Sequence, residues 1–383
     1  MLNDAPLDGL VVLEFAQFLA GPFCGLRLAD LGARVIKVER PGSGDLGRQI
    51  YLSDTDAGGV NTLFQAINRN KESFAANLKD PQDKVRIEKL IAQADVIIQN
   101  FRPGVFDRLG FSYENISRIN PGIIYASVSG YGADGPWVDL PGQDLLAQAR
   151  SGVMWLNGSE GQPPQPVGLA VADMLAGHNL TQAVLAGLVR KGIKGKGAKV
   201  DTSLLESLVD FQFEVLTTYL NDGNRHPTRP ASHGAHAYLP SPYGVYATSD
   251  GYLALAMVPV DRLMGLMGME QADEYSDPSL AFSMRDTINS LLAERLKTCT
   301  TQEWLDLLQP HDVWCAEILS WQELLASDGF KALGMIQSLS LPDGEHVQTT
   351  RTPFRLDDLA LASPCPAPMV GQHTDLISRD FSL

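Results

Sequence analysis

The sequence predicts an α/β protein with a Rossmann-like large domain on a parallel sheet, plus a smaller α+β domain. Three observations point there. Over the first 130 residues short β-branched apolar runs alternate with helix-like segments, the pattern of βαβ units whose sheet is covered on both faces. Beyond residue 130 that alternation gives way to Ala- and Leu-rich helical stretches, and later to a hairpin followed by further helices. At 383 residues, 44% hydrophobic and 20% charged, the chain is long enough for two cores and is neither disordered nor fibrous.

Residues 10–15 (LVVLEF) read as the first strand. Gly21-Pro22 opens a helix that stops near Leu31-Gly32, with proline where a first turn tolerates it and glycine where a C-terminal cap belongs. Strands follow at 34–39 (RVIKVE) and 73–78, a polar helix at 81–93, and strands at 95–99 and 123–129. The turn after the first strand, AQFLAGPFCG, does not satisfy G-x-G-x-x-G, which disfavours a dinucleotide-dependent dehydrogenase.

Residues 144–156 and 172–190 read as helices, and a basic turn at 191–200 leads to a long helix at 202–220. A Pro/Gly/His-rich connection spans 222–244 and a hairpin spans 244–257 about Ser249-Asp250-Gly251. Helices are expected at 283–299 and 301–308. The last stretch, with Pro353, Pro364, Pro366 and Pro368, is expected to be irregular and to pack back on the first domain. The large domain is thus expected over 1–222 and 340–383, and the small one over 223–339.

The charge balance excludes whole classes of partner. Forty-five acidic residues against 30 basic ones give a formal charge of −15, which opposes non-specific binding to nucleic acid or anionic membranes. No apolar run is long enough for a membrane span, and MLNDAPLDGLVVLEF lacks the basic start of a signal peptide, so a cytoplasmic location is expected. Cys24, Cys299, Cys315 and Cys365 are too scattered for a disulfide framework or a zinc site, and are expected to be buried, reduced thiols. No metal is expected.

Several segments in order resemble the class III CoA-transferase family (the CaiB/BaiF group), which includes formyl-CoA transferase, carnitine CoA-transferase and the α-methylacyl-CoA racemases. The motifs are LDGLVVLEFAQFLAGPF, LADLGARVIKVERPGSGD, NRNKESFAANLKD, ADVIIQNFRPGVFDRLGF, INPGIIYASVSGYGADGP, QDLLAQARSG and VADMLAGHNLTQAVLAGL, with looser matches in YGVYATSDGYLALA and PMVGQHT. The resemblance implies an interlocked homodimer and the movement of CoA from an acyl-CoA to a free carboxylic acid. CoA and its esters are then substrates, with no tightly bound cofactor. It also implies a catalytic aspartate that becomes acylated, here Asp173 in Val171-Ala172-Asp173.

A carboxylate in that role divides one difficult exchange into easier covalent steps. Read without the family, Asp173 is an N-terminal cap of the following helix. For the CoA phosphates and adenine the matched segments offer Arg40, Asn100, Phe101 and Arg108, with Lys37, Lys71 and Arg102 as weaker candidates. Guanidinium groups fit phosphate oxygens, and an aromatic ring can flank the base. Taken singly, each of these cations reads as a solvated surface charge. Gln17, at the carboxyl end of the first strand, is placed to steady the thioester oxygen as charge develops, or else to make loop hydrogen bonds.

Gln143 stands where the racemases of the family carry a histidine, and an amide cannot move the α-proton. His178, one turn beyond Asp173, reads as a packing residue. The glycine-rich loop of the oxalate-using branch is absent from RPASHGAHAYLPSPYG. The expectation is therefore an acyl-CoA:carboxylate CoA-transferase. The alternatives are an α-methylacyl-CoA racemase and a CoA-binding member without turnover.

Overall fold

Six parallel strands form the central sheet of the computed structural model, which describes residues 5–383 apart from 51, 53, 58 and 364. Pro364 and the first residues of the N-terminal stretch therefore lie outside the described residues. The strands are β1 (Val11–Glu14), β2 (Arg34–Glu39), β3 (Lys71–Ala75), β4 (Val96–Gln99), β5 (Ile124–Ser129) and β6 (Ala198–Ser203). Their spatial order is 3-2-1-4-5-6. This is the doubly wound Rossmann order, and it reverses between β1 and β4, where such sheets bind ligands beyond the carboxyl ends of their strands.

Alternation along the strands supplies two cores, with the short helices α2 (Thr62–Asn68) and α5 (Tyr113–Ile119) lying between strands in the chain. Val12, Val35, Val96 and Ile124 face one way and meet Leu28 of α1 (Ala20–Asp30) and Leu180 of α7 (Val171–Lys194). Leu13, Ile36, Phe74 and Ile97 face the other way and meet Ile87 and Leu90 of α3 (Pro81–Gln93). Each such fully buried side chain contributes roughly 2 kcal/mol of transfer free energy. α3 begins where the sequence indicates, because the Asp80 carboxylate accepts from the Gln82 and Asp83 amides and Pro81 needs no partner for a missing N–H.

Residues 198–220 differ from the sequence reading. The expected long helix is β6 followed by α8 (Leu204–Phe211) and α9 (Phe213–Asn221), interrupted at Gln212. α7 in turn runs on to Lys194 and is closed by Gly195 at φ +64°, a conformation glycine adopts without cost.

The chain divides into two compact units. One comprises residues 1–150, 169–211 and 332–383; the other comprises 151–168 and 212–331. The second unit thus spans 212–331, with 151–168 added, where the sequence leads to the expectation of a small domain over 223–339. Residues 151–168 belong with the second unit because Arg229 donates to the Asn157 and Gln162 carbonyls, while the Glu160 amide donates to the Pro230 carbonyl. The second unit holds an antiparallel sheet of β7 (Gly244–Ala247), β8 (Tyr252–Leu255) and β9 (Cys315–Glu317), packed with α10 (Val260–Leu266), α11 (Leu280–Ser283), α12 (Arg285–Leu296) and α13 (Thr301–Leu308). Its core gathers Tyr246, Leu253, Leu263, Ile288 and Trp304. α14 (Trp321–Ala326) and α15 (Asp328–Leu333) follow.

A hairpin of β10 (Ile336–Ser340) and β11 (His346–Thr350) precedes the last stretch, which is more regular than expected in ending on α16 (Thr374–Asp380). This segment lies along the edge strand β3. The His373 amide donates to the Ser73 carbonyl, the Ser73 amide to His373 Nδ1, and the Ala75 amide to Thr374 Oγ1, at 3.0–3.2 Å. All four cysteines are free, but only Cys24 is buried and Cys365 is exposed, which corrects the expectation of four buried thiols. Among the described residues no helix is long and apolar enough to cross a membrane, and no group of three or more His, Cys, Asp or Glu could hold a metal ion.

Candidate active site

The segments carrying the candidate residues leave the sheet at its carboxyl edge. The turn after β1 holds Gln17, the turn after β4 holds Asn100 and Phe101, and the chain after β5 leads to Asp144. Asn100 ties the first two turns together. The Gln17 amide donates to Asn100 Oδ1 at 2.8 Å and Asn100 Nδ2 donates to the Gln17 carbonyl at 2.7 Å, so one carboxamide satisfies both backbone groups of Gln17. The Gln17 side chain makes no hydrogen bond among the described residues. Phe18 follows at φ +65°, unusual for a residue with a Cβ, and is 46% exposed.

After β5 the backbone returns on itself. A Cβ on Gly130 would lie 2.4 Å from the Gly142 Cα, so the close approach needs glycine at both positions. It delivers Asp144 to the start of α6 (Asp144–Ser151). Asp144 Oδ2 accepts from the amides of Ala172 at 2.7 Å and Asp173 at 3.1 Å, and Oδ1 accepts from Gln148 Nε2 at 2.6 Å. Asp144 therefore caps α7 from another helix.

Asp173 is not the cap. It occupies the third position of a 24-residue helix, half-buried, and its carboxylate accepts no hydrogen bond among the described residues. Burial, reinforced by the like charge of Asp144, pushes it up to about 7, outweighing the favourable end of the helix dipole. One turn further on, a Cβ at Gly177 would lie 2.7 Å from the Ala20 carbonyl and 2.9 Å from the Phe23 ring. This packing sets the Asp173 end of α7 against the α1 terminus that follows the Gln17 turn. His178 is exposed and meets Phe23 edge-on at 4.9 Å, a packing contact.

The cations divide into two groups. Arg40, Arg102 and Arg108 are exposed, and their guanidinium groups have no acidic partner among the described residues. Arg108 lies at the end of the short helix α4 (Val105–Arg108). Phe101 is half-buried and stacks on Phe106, with centroids 5.2 Å apart and planes at 7°. Lys37 and Lys71 correct the sequence reading. Both are buried, and their ammonium groups are committed internally. Lys37 Nζ lies 2.8 Å from Glu14 Oε1, 2.7 Å from Asp45 Oδ2 and 2.8 Å from the Ala16 carbonyl. Lys71 Nζ lies 2.8 Å from Glu14 Oε2, 2.7 Å from the Pro22 carbonyl and 3.0 Å from Asn68 Oδ1. Neither has a donor left for a phosphate.

A strand-borne site at the switch point, with no G-x-G-x-x-G and a carboxylate free of hydrogen bonds, calls for comparison with proteins that handle acyl groups. The sequence model of CoA-transferase family III matches residues 7–374. The chain belongs to that family. The succinyl-CoA:glutarate CoA-transferase of Homo sapiens is 32% identical over 386 residues, spanning 99% of this chain and 87% of the relative. The succinate–glutarate CoA-transferase of Agrobacterium fabrum is 31% identical, spanning 96% and 94%. The crystal structure of a CaiB/BaiF family protein from Brucella suis superposes with a TM-score of 0.85 at 32% identity, over 99% of this chain and all of that one. The chain is accordingly an acyl-CoA:carboxylate CoA-transferase, and its sheet and topology are those of the family.

Two features of this CoA-transferase leave no signal in the sequence. The capping partner of Asp144 lies 28 residues further along. Glu14 is a lone glutamate in an apolar strand and carries no sign of the two lysines it bridges.

Proposed function

We propose that the enzyme moves CoA between dicarboxylic acids through covalent intermediates on Asp173. The observation that carries this reading is the Asp173 carboxylate itself, half-buried and without a hydrogen bond, while Asp144 does the capping. A carboxylate not stabilised by donors is the better nucleophile, and burial raises its basicity.

Asp173 attacks the acyl-CoA carbonyl, the C–S bond breaks, and a mixed anhydride and CoA thiolate result. The thiolate attacks the aspartyl carbonyl, releasing the first carboxylate and leaving an aspartyl-CoA thioester. The acceptor carboxylate attacks that thioester, expelling the thiolate again. The thiolate then takes the acyl group of the second anhydride, and Asp173 returns as a free carboxylate. Gln17 supports each tetrahedral stage by donating to the oxygen that gains charge. Arg40, Arg102 and Arg108 hold the CoA phosphates, with Phe101 flanking the adenine.

Dicarboxylate substrates are drawn from the activities named for the human and Agrobacterium relatives. An exposed glutamine at position 143 supports transfer over racemisation, since it cannot exchange an α-proton. The functional unit is a homodimer. In support, α9, α14 and α15 bury no residue, and Phe213 and Trp321 are 67% and 82% exposed. Light scattering should therefore return twice the chain mass, and a monomer at micromolar concentration overturns that assignment.

The mechanism is tested by incubation with succinyl-CoA and hydroxylamine, followed by peptide mass spectrometry. A hydroxamate on the peptide containing Asp173, absent from Asp173→Ala, is the expected result. Full transfer by Asp173→Ala, or deuterium entering the α-carbon without CoA exchange, defeats the proposal.

A further inference from the structure

The turn between β1 and α1 is fastened by a set of buried charges that the reaction chemistry does not use. Glu14, Lys37, Glu39, Asp45 and Lys71 are each at most 4% exposed. Glu14 bridges the two lysines through its two oxygens. Gly25 of α1 makes room for it, since a Cβ there would come within 1.9 Å of Glu14 Oε2. Glu39 completes the set by receiving Arg48 at 2.8–2.9 Å and Ser73 Oγ at 2.5 Å.

Such a cluster is rarely repaid in stability, because apolar side chains of the same volume avoid the desolvation of each ion. What it touches gives it a purpose. Lys37 donates to the Ala16 carbonyl, Asp45 Oδ1 accepts from the Phe18 amide at 3.2 Å, and Lys71 donates to the Pro22 carbonyl. Asn100 already holds both backbone groups of Gln17. Residues 16–22 are thus gripped at four points, and in the middle Phe18 sits in the left-handed region, a conformation that persists only when its surroundings impose it.

We propose that Lys37 and Lys71, joined through Glu14 with Asp45 held against Lys37, are positioning residues that hold the Gln17–Phe18 turn in its strained form and so set the aim of Gln17 during CoA transfer. The proposal rests on the reading that Gln17 faces the reacting thioester.

Lys37→Met removes the grip on Ala16 and leaves Asn100 in place. The expected result is a fall in kcat of about tenfold or more with KM for succinyl-CoA within about threefold, since displacement by about an ångström has that scale of effect on a reacting geometry. Amide hydrogen exchange in peptides covering residues 15–23 should rise by about tenfold, while peptides from β5 keep wild-type protection. If Lys37→Met does not fold, Asp45→Asn carries the same two readouts, because it keeps the acceptor for Phe18 and removes the charge facing Lys37. A folded variant with wild-type exchange in 15–23, or with kcat falling only as the folded fraction falls, overturns the proposal. Wild-type kcat in Gln17→Ala would instead defeat the reading that Gln17 faces the thioester and leave the exchange result standing.

Discussion

Replacing Asp173 by asparagine should abolish transfer and at the same time stabilise the fold, by an amount that grows with pH. The native carboxyl is pushed from an ordinary 3.8 up to about 7, by burial first and by Asp144 second. Between these values the native state keeps a proton that the unfolded chain has released, so stability is lost as pH rises through that window and the loss is complete above about 7. At 1.36 kcal/mol per tenfold change in proton affinity, the raised pKa costs the native state about 4 kcal/mol at pH 8.5, where the group is ionised, and about 2 kcal/mol at pH 5.5, where it holds its proton. Asparagine has the same shape and no charge to bury. Urea unfolding of the two proteins at both pH values gives the comparison directly, read as the difference in midpoint at constant slope. Asparagine should lead at both, by roughly twice as much at pH 8.5. An equal advantage at the two pH values, or none, refutes the account of Asp173 as a half-buried, uncompensated charge.

Two further outcomes follow from the same geometry. In the proposed mechanism Asp173 attacks as the ionised carboxylate, so kcat should climb through an inflection near pH 7, and Asp144→Asn should move that inflection to lower pH by about one unit while retaining an acceptor for the α7 amides. An unmoved inflection in a pH–rate profile argues that Asp144 acts only as a cap. Gly25→Ala should destabilise the fold by on the order of 3–5 kcal/mol in chemical denaturation, because its Cβ would displace the carboxylate that pairs both buried lysines. A loss below about 1 kcal/mol would mean that Glu14 has another place to go.

The sheet was legible because its signals are local. β2 matches the sequence reading residue for residue, and α3 does too, since Asp80 and Pro81 announce its start. β6 was hidden because it is an edge strand with exposed Lys199 and Asp201, so no apolar run marks it. The break at Gln212 interrupts what reads as one apolar helix face. At the site, the placement of Asp173 in the first turn of α7 follows from sequence, whereas its freedom from capping depends on Asp144. The burial of the lysines is hard to see in the sequence for a related reason. In RVIKVE the side chain of Lys37 shares a face with Val35, which already indicates burial, but the identity of its partner is set by β1 some 20 residues earlier. Charge counts alone favour the surface for such a residue.

The segment laid along β3 has a consequence for how the chain is made. Its bonds to Ser73 and Ala75 join residues about 300 positions apart. During synthesis the edge of β3 therefore stays bare while the whole of the second unit is translated, and contacts this distant in sequence form late. A ribosome that stalls beyond residue 331 would release a nascent chain with a complete second unit and an open, hydrogen-bonding strand edge on the first. Chaperone demand should therefore persist from the emergence of β3 until residues 373 and 374 are translated.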